Sequence, residues 1–290
     1  MDSTLFKVIS PGDRILKINN DRAIKFFNKT KDLLSGSLQW KESKALTTYL
    51  NGTEKEKIQL KFSHQHKSLK RDFSRTFPAS SYRAGKESSY QTQTGWIRPG
   101  VYYFDLTKLA LDSLHISNFL KATAIIFDLR GYPVNDNIFD LIPMLLNSAR
   151  AIKRIYGLKI LLPDFEKMQY KTQFDNYLPS QTHIRAKTFF LTDATAQSAS
   201  ESLLGLVKDF KLGTIIGTPT SGTNGNINIL SLPGRYRITF TGMLVKNGDG
   251  SKHHLLGIQP DIRASRTLDS YKRKSDNVLK LAIELTKEKK

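Results

Sequence analysis

The strongest constraint on the fold is the segment Ala122–Leu129, which is apolar except for Thr123 and Asp128 and leads through Arg130 into Gly131. A run of this length without polar alternation is typical of a strand that is buried on both faces of a parallel sheet. Two further apolar segments, Thr188–Thr192 and Gly213–Gly217, have the same character. Because strands and helices alternate from Gly95 onward, the sequence predicts an α/β fold in which helices cover a sheet.

The other elements of this region follow from periodicity and turn residues. Helices are expected at Leu109–Leu120, Phe139–Tyr156 and Ser200–Phe210. Arg237–Phe240 and Met243–Lys246 are expected to extend the sheet with β structure. Near the C-terminus, apolar residues at helical spacing predict a docked helix whose lysines face water; they are Val278, Leu279, Ala282, Ile283 and Leu285.

The first part of the chain has a different pattern of apolar and polar residues. Arg14–Ile18 follows a Pro-Gly-Asp turn and reads as a strand, and Lys57–Phe62 alternates as a second strand. Residues 63–94 are poor in aliphatic side chains and rich in Ser, Lys, Gln and Thr, which indicates a linker or an extended excursion. We therefore expect a small, mainly β domain at residues 1–75, a linker at 76–94 and an α/β core at 95–290.

Composition excludes several classes of function. The 290 residues include no cysteine, which excludes a thiol nucleophile, and only six histidines, which disfavours a structural zinc site. No apolar run approaches the roughly 20 residues of a membrane span. The formal charge of +19 could attract nucleic acid, but both parts of the chain share it and its densest clusters lack interleaved aromatic residues. We therefore expect no nucleic-acid partner.

Two strand ends carry residues suited to chemistry. Asp128-Leu-Arg-Gly131 ends a buried strand in a glycine, whose outward N–H could stabilise an oxyanion, although these residues alone favour an ordinary strand-to-loop glycine. Leu191–Leu204 ends a second strand in a turn of small residues before a helix. Ser198 lies at that helix N-terminus, where negative charge is favoured, and could act as a nucleophile. Ser198 followed by Glu201 also fits a capping box.

Five motifs in order carry a resemblance to a known family. They are DLRG, LTDATAQSASESL, IIGTPTSGTNGN, LPG–R and GIQPDI, preceded by SPGDRILKIN at Ser10–Asn19. This order resembles the C-terminal processing, or tail-specific, serine peptidases, and more closely their tricorn-core relatives that lack a Ser–Lys dyad. The resemblance covers about 230 residues. It implies a Clp-protease/crotonase-like core that follows a PDZ-like domain, with peptide or protein substrates, no cofactor and no metal.

The resemblance also assigns roles to residues. Ser198 would be the nucleophile, and the backbone N–H groups of Gly131 and Ala199 would hold the oxyanion. The PDZ-like domain would bind a peptide by strand addition. By family, the location would be extracytoplasmic, either periplasmic or at the cell envelope.

The general base departs from the family pattern. Ser–Lys members place a lysine 25 residues after the nucleophile, where this chain has Thr223. His254, near the closing motif, could act as the base or orient another one, while a solvent-facing histidine pair with His253 is the plain alternative. We expect the chain to be a fragment of a larger peptidase whose absent part carries the base.

Other functions remain open. A catalytically impaired relative that binds peptides through its PDZ-like domain is the main alternative, favoured by Thr223. A nucleic-acid or anionic-surface binder rests on charge alone. A crotonase-like acyl-thioester enzyme would share the core fold but would need no serine at residue 198.

Overall fold

The computed structural model describes residues 9–53, 55–64, 67–75, 92–159 and 169–287. The chain forms two compact units, one of residues 1–91 with 265–280 and one of residues 92–264 with 281–290. The expected linker at 76–94 lies outside the described residues up to 91. The sequence-based boundaries at 75 and 95 stay a prediction, and the structure groups Ser265–Lys280 with the first unit.

The first unit contains a four-stranded antiparallel sheet in the order β2-β1-β3-β4. Its strands are β1 (Arg14–Ile18), β2 (Asp21–Arg22), β3 (Lys57–His64) and β4 (Lys67–Ser74), and its helices include α1 (Ala23–Asp32) and α2 (Leu38–Thr48). Ile58, Leu60 and Phe62 alternate along β3 and point into a buried cluster with Ile18 and Phe73. A small unit built on a β-sheet is therefore present, with helices α1 and α2 beside the strands, and its PDZ-like identity remains a prediction.

The second unit is built on a six-stranded sheet in the order β15-β11-β10-β7-β6-β5. Neighbouring strands are parallel except for the antiparallel β5–β6 pair. The strands are β5 (Gly95–Arg98), β6 (Val101–Asp105), β7 (Ala124–Asp128), β10 (Lys187–Thr192), β11 (Thr214–Gly217) and β15 (Ile262–Arg263). All five residues of β7 are buried, as its continuous apolar sequence predicted. The α/β fold class is confirmed.

Helices pack on this sheet around one apolar core. They are α3 (Ser113–Lys121), α4 (Leu141–Leu145) and α5 (Ala199–Phe210). The core includes Phe104, Phe119, Phe127, Leu203 and Val207. Asp112 begins α3, since its carboxylate accepts the His115 N–H at 2.8 Å, so this helix starts four residues later than predicted.

The helix predicted at Phe139–Tyr156 is wrong. A 3₁₀ turn at Asp136–Asp140 leads into the short helix α4, and the chain then extends as β8 (Arg150–Lys159). Strand β8 pairs antiparallel with β9 (Gln169–Tyr177). Pairing with β9 outweighed the helical spacing of the apolar residues in this segment. The β-branched Ile152 and Ile155 also favour an extended backbone.

The β structure expected after residue 236 forms, but it does not extend the main sheet. Among the described strands, β12 (Ile227–Leu232) pairs only with β13 (Tyr236–Thr241), in a separate hairpin. Strand β14 (Leu244–Val245) pairs with β8. Two helices close the chain, α6 (Leu268–Lys272) and α7 (Asn277–Leu285). In α7, Val278, Leu279 and Ala282 are buried, as the helical spacing predicted.

None of the helices in the described ranges combines the length and apolarity needed to cross a membrane.

Candidate active site

The first predicted segment, at the carboxyl end of β7, is held by buried polar contacts. Asp128 is buried and accepts hydrogen bonds from the Tyr103 hydroxyl at 2.8 Å and from Arg130 Nε at 2.9 Å. Burial would raise the pKa of Asp128, but the Arg130 guanidinium, Arg130 N–H and Tyr103 hydroxyl lower it below its ordinary value. The ionised pair fixes the backbone that leads into Gly131.

Gly131 occupies a backbone conformation that favours glycine, with φ of +147°. A Cβ added there would lie 3.3 Å from Thr107 Cγ2. The Gly131 N–H donates to the Leu129 carbonyl at 2.9 Å, within its own turn. The predicted oxyanion donor is therefore engaged in this structure. Its role stays a prediction.

Ser198 lies in the turn between β10 and α5 and is half-buried. Its backbone has φ of 48° and ψ of −108°, a conformation that is strained for a residue with a side chain. Such strain persists only where the surroundings fix it, and it is common at functional sites. Ala199 begins α5, so its N–H is among the free donors at the helix N-terminus. The backbone thus gives Ser198 the setting expected of a nucleophile.

The structure brings the two predicted segments together. The Ser200 hydroxyl donates to the Gly131 carbonyl at 2.8 Å, across 69 residues of sequence. This bond holds the end of β7 against the first turn of α5. The sequence placed Gly131, Ser198 and Ala199 in one site, and the fold puts their segments in contact.

Glu201 is the centre of a buried hydrogen-bond network under the Ser198 turn. Its side chain is fully buried. One carboxylate oxygen, Oε1, accepts from the Thr220 hydroxyl and the Gly222 N–H, each at 2.6 Å. The other, Oε2, accepts from the Ser198 N–H at 3.2 Å and the Thr223 N–H at 3.1 Å. The capping interaction expected between Glu201 and Ser198 is therefore one arm of a larger network.

A buried histidine adjoins this carboxylate. His253 is fully buried, and its Nε2 lies 3.3 Å from Glu201 Oε1. Burial would raise the pKa of Glu201, but the His253 side chain, the Thr220 hydroxyl and the Gly222 N–H together lower it below its ordinary value. Glu201 is therefore ionised at neutral pH in spite of its burial.

His254, the predicted base, has a different environment from its neighbour. Its side chain is exposed, and it lines a cavity of about 500 Å³ with Tyr170, Met243 and Lys246. The sequence singled out this histidine pair, but it could not tell which member faces the carboxylate. The base role of His254 stays a prediction, and the geometry gives it no support.

Thr223 lies where the Ser–Lys pattern would place its lysine. The Thr223 N–H donates to Glu201, and its hydroxyl lies 2.9 Å from the Ser221 hydroxyl. The 220–223 loop therefore adjoins the Ser198 turn, as the family spacing implies. A threonine hydroxyl here can donate or accept a hydrogen bond but cannot serve as the lysine base.

Sequence reasoning missed two features of the site. It treated Glu201 as a helix cap, although the small-residue loop Thr220–Thr223 was visible as a source of backbone donors. It also missed Asp193, at the carboxyl end of β10, whose carboxylate accepts from the Thr195 N–H at 2.8 Å. Burial raises the pKa of Asp193. Among the residues that the structure describes, no group of His, Asp and Glu could hold a metal ion.

Comparison with known proteins identifies the class. Residues 140–264 match the model of peptidase family S41, and this stretch contains Ser198, Glu201 and His253. The match lies within less than half of the chain, supports a serine peptidase and agrees with the resemblance to the C-terminal processing peptidases. No curated protein matches it by sequence.

Solved structures show the same fold. Mature CPAF complexed with lactacystin is 14% identical over 95% of this chain and 78% of that chain, with a TM-score of 0.71. A mutant of CPAF is 14% identical over 98% of this chain and 79% of that chain, with a TM-score of 0.74. A chain from Parabacteroides merdae ATCC 43184 is 16% identical over 94% and 91%, with a TM-score of 0.57. Identities this low establish a shared fold and no more.

Proposed function

We propose that this serine peptidase is an endopeptidase of the C-terminal processing class, which cleaves extended peptides through an acyl-enzyme on Ser198. The observation that carries the proposal is the strained Ser198 backbone at the start of α5, held against the Gly131 segment by the bond from Ser200 to the Gly131 carbonyl. A serine at a helix N-terminus beside a glycine turn supplies a nucleophile and nearby backbone donors, which acyl transfer to a serine uses.

The chemistry follows from this placement. Ser198 Oγ attacks the scissile carbonyl carbon and forms a C–O bond, while its proton passes to a base. The tetrahedral intermediate then collapses, the C–N bond breaks, and the leaving amine takes up that proton. Water hydrolyses the ester and restores the serine. The Ala199 N–H, at the positive end of the α5 dipole, would stabilise the oxyanion.

The second oxyanion donor would require a local change. The Gly131 N–H now donates to Leu129, so it would have to turn away before it could bind an oxyanion. Glycine can make that change at low steric cost, because it populates both signs of φ. The engaged N–H and Thr223 also favour the second candidate function, a catalytically impaired relative that binds peptides through its first unit.

Labelling with a fluorophosphonate separates the two functions. We expect the wild-type chain to be phosphonylated at Ser198, because an activated serine attacks phosphorus as it attacks a carbonyl. Intact-mass spectrometry would show one adduct, and the Ser198→Ala variant would show none. Ser231→Ala, at an exposed serine of the hairpin, is the matched control and should label like the wild type. No adduct on correctly folded wild-type protein would contradict the acyl-enzyme and favour the binding module.

The base, the location and the larger context stay proposals. We infer that neither His253 nor His254 takes the Ser198 proton in the observed arrangement, since one faces Glu201 and the other lines a separate cavity. An extracytoplasmic location and a fragment status rest on the family resemblance. A peptide that binds to the full chain, with contacts mapped to the sheet of the first unit, would support the PDZ-like role.

A further inference from the structure

The most informative feature outside the proposed catalytic steps is the buried pair of Glu201 and His253. Both side chains are fully buried, and Nε2 of the imidazole lies 3.3 Å from Oε1 of the carboxylate. A buried carboxylate is costly unless charge and hydrogen bonds compensate for the water that it loses. The hydrogen bonds that Glu201 accepts must therefore account for the burial of this pair.

Glu201 connects the two backbone segments of the site. Through Oε2 it accepts from Ser198 and Thr223, and through Oε1 it accepts from Thr220 and Gly222. One carboxylate thus fixes the nucleophile turn and the loop beside it. Loss or displacement of this group would release both segments at once.

His253 cannot be the general base in this arrangement, because both of its ring nitrogens are directed elsewhere. Nε2 faces Glu201, and Nδ1 lies 3.3 Å from Asn247 Oδ1. The Asn247 amide is held by its donation to the Ser251 hydroxyl at 2.9 Å, so its oxygen faces the ring. Neither nitrogen is left to face the Ser198 hydroxyl.

The contact with Glu201 is close but poorly aligned. Within the described residues, Nε2 has no aligned hydrogen-bond acceptor, although it lies at ion-pair distance from Oε1. The imidazole therefore limits the position of the carboxylate by close approach, without an aligned hydrogen bond to it. This suits a group that holds the carboxylate in place and does not compete with its four backbone and hydroxyl donors.

We infer that His253 is a positioning residue that holds the Glu201 carboxylate beneath Ser198, and through it fixes the nucleophile turn and the 220–223 loop. The inference rests on the proposed function only where it concerns Ser198 as nucleophile. Sequence analysis pointed to His254 as a base, whereas this inference makes His253 the functional member of the pair, as a positioning residue.

Substitution of His253 tests this role with a matched set of variants. His253→Phe keeps a ring but removes both nitrogens, and His253→Gln keeps one donor that can reach the carboxylate. Lys252→Ala changes the exposed neighbouring residue and is the control. We expect His253→Phe to slow fluorophosphonate labelling of Ser198 by at least roughly ten-fold, because small displacements of a nucleophile are costly. His253→Gln should recover part of the rate.

Hydrogen exchange separates this inference from the proposed function. In native-state exchange, His253→Phe should reduce the protection of the Ser198, Gly222 and Thr223 N–H groups that Glu201 binds, relative to the amides of β7. This readout does not need an active serine. If the wild type fails to label while His253→Phe loses that protection, the proposed function fails and the positioning role stands.

Two results would overturn the inference. One is unchanged protection of those amides in a folded His253→Phe protein. The other is normal labelling in His253→Phe together with loss of labelling in His254→Ala, which would return the role to the exposed histidine. If His253→Phe does not fold, His253→Gln supplies both readouts, and wild-type values there would also contradict the inference.

Discussion

The 220–223 loop and the hairpin that follows it in the chain show opposite relations between side-chain polarity and burial. The loop is polar in sequence, yet Thr220 and Ser221 are fully buried and the neighbouring Glu201 is sealed beneath it. The hairpin of β12 and β13 is rich in apolar residues, yet every residue of β12 is exposed. Side-chain polarity alone therefore predicts the wrong environment for both.

Cross-strand register explains how the hairpin exposes its apolar residues. Leu230 pairs with Ile238, and Leu232 pairs with Tyr236, so these side chains share one face of the two-stranded sheet. Tyr236 is 72% exposed and Ile238 is 48% exposed. Neither strand pairs with a third strand among the described residues, and the side chains on this face are exposed.

The two regions should contribute differently to the stability of the second unit. A buried polar group is stabilising only while its hydrogen bonds are complete, so each contact of Glu201 matters. An exposed apolar side chain loses little when it is replaced, because it has not been removed from water. Removal of a single hydrogen-bonding atom from the loop should therefore destabilise the unit, whereas replacement of a whole side chain in the hairpin should cost little stability.

The largest expected effect is the loss of the Glu201 carboxylate. Glu201→Ala leaves the Thr220, Gly222, Thr223 and Ser198 donors without their acceptor. We expect the free energy of unfolding to fall by about 3 kcal/mol or more, because several buried donors lose their acceptor and each such loss costs about 1–3 kcal/mol. Urea denaturation measures it, with the exposed Glu284→Ala as the control. A loss below about 1 kcal/mol would show that the network contributes little.

A smaller effect is expected from one hydroxyl of the loop. Thr220 Oγ1 donates to Glu201 and accepts from the Ile258 N–H at 2.7 Å. Thr220→Val keeps the shape and removes both bonds, so it should cost about 1–3 kcal/mol. The same substitution at the exposed Thr239 of the hairpin should stay within about 0.5 kcal/mol. Equal losses at the two threonines would remove the contrast between the regions.

The pH dependence of stability should report the ionised carboxylate. The pKa of Glu201 is lowered in the folded chain, so its contribution is present above the unfolded value of about 4.3 and is lost as pH falls through the folded value. The stability difference between wild type and Glu201→Gln should therefore shrink below that pH, by at most about 1.4 kcal/mol per unit. Urea melts between neutral and acidic pH measure it, and a constant difference would contradict the assignment.

The smallest effect is expected on the apolar face of the hairpin. Leu230→Thr with Ile238→Thr replaces a cross-strand pair by residues that retain β propensity. Each change should alter the free energy of unfolding by no more than about 0.5 kcal/mol, because both side chains already contact water. Light scattering should show less self-association, since an exposed apolar patch is reduced. A combined loss above about 2 kcal/mol would show that this face is covered.

Much of the second unit could be predicted because its signals are local. The apolar run at Ala122–Leu129 became β7, and the small-residue turn before α5 placed Ser198 and Ala199 at a helix N-terminus. These features depend on a few neighbouring residues, whose burial and capping the sequence shows directly. The order of motifs added the family, which the S41 match confirms.

Other features depended on contacts between distant residues. The C-terminal part of the helix expected at Phe139–Tyr156 became strand β8 because β9 was available to pair with it. The choice between His253 and His254 was made by the chain path that buries one beside Glu201, 52 residues earlier in the sequence. Local sequence was enough to locate the buried strands of the main sheet and the turn that carries Ser198, and the order of motifs indicated the peptidase family. The polar groups that are buried together could be read only from the folded chain, because burial depends on every segment that packs around a residue and not on its own neighbours in the chain.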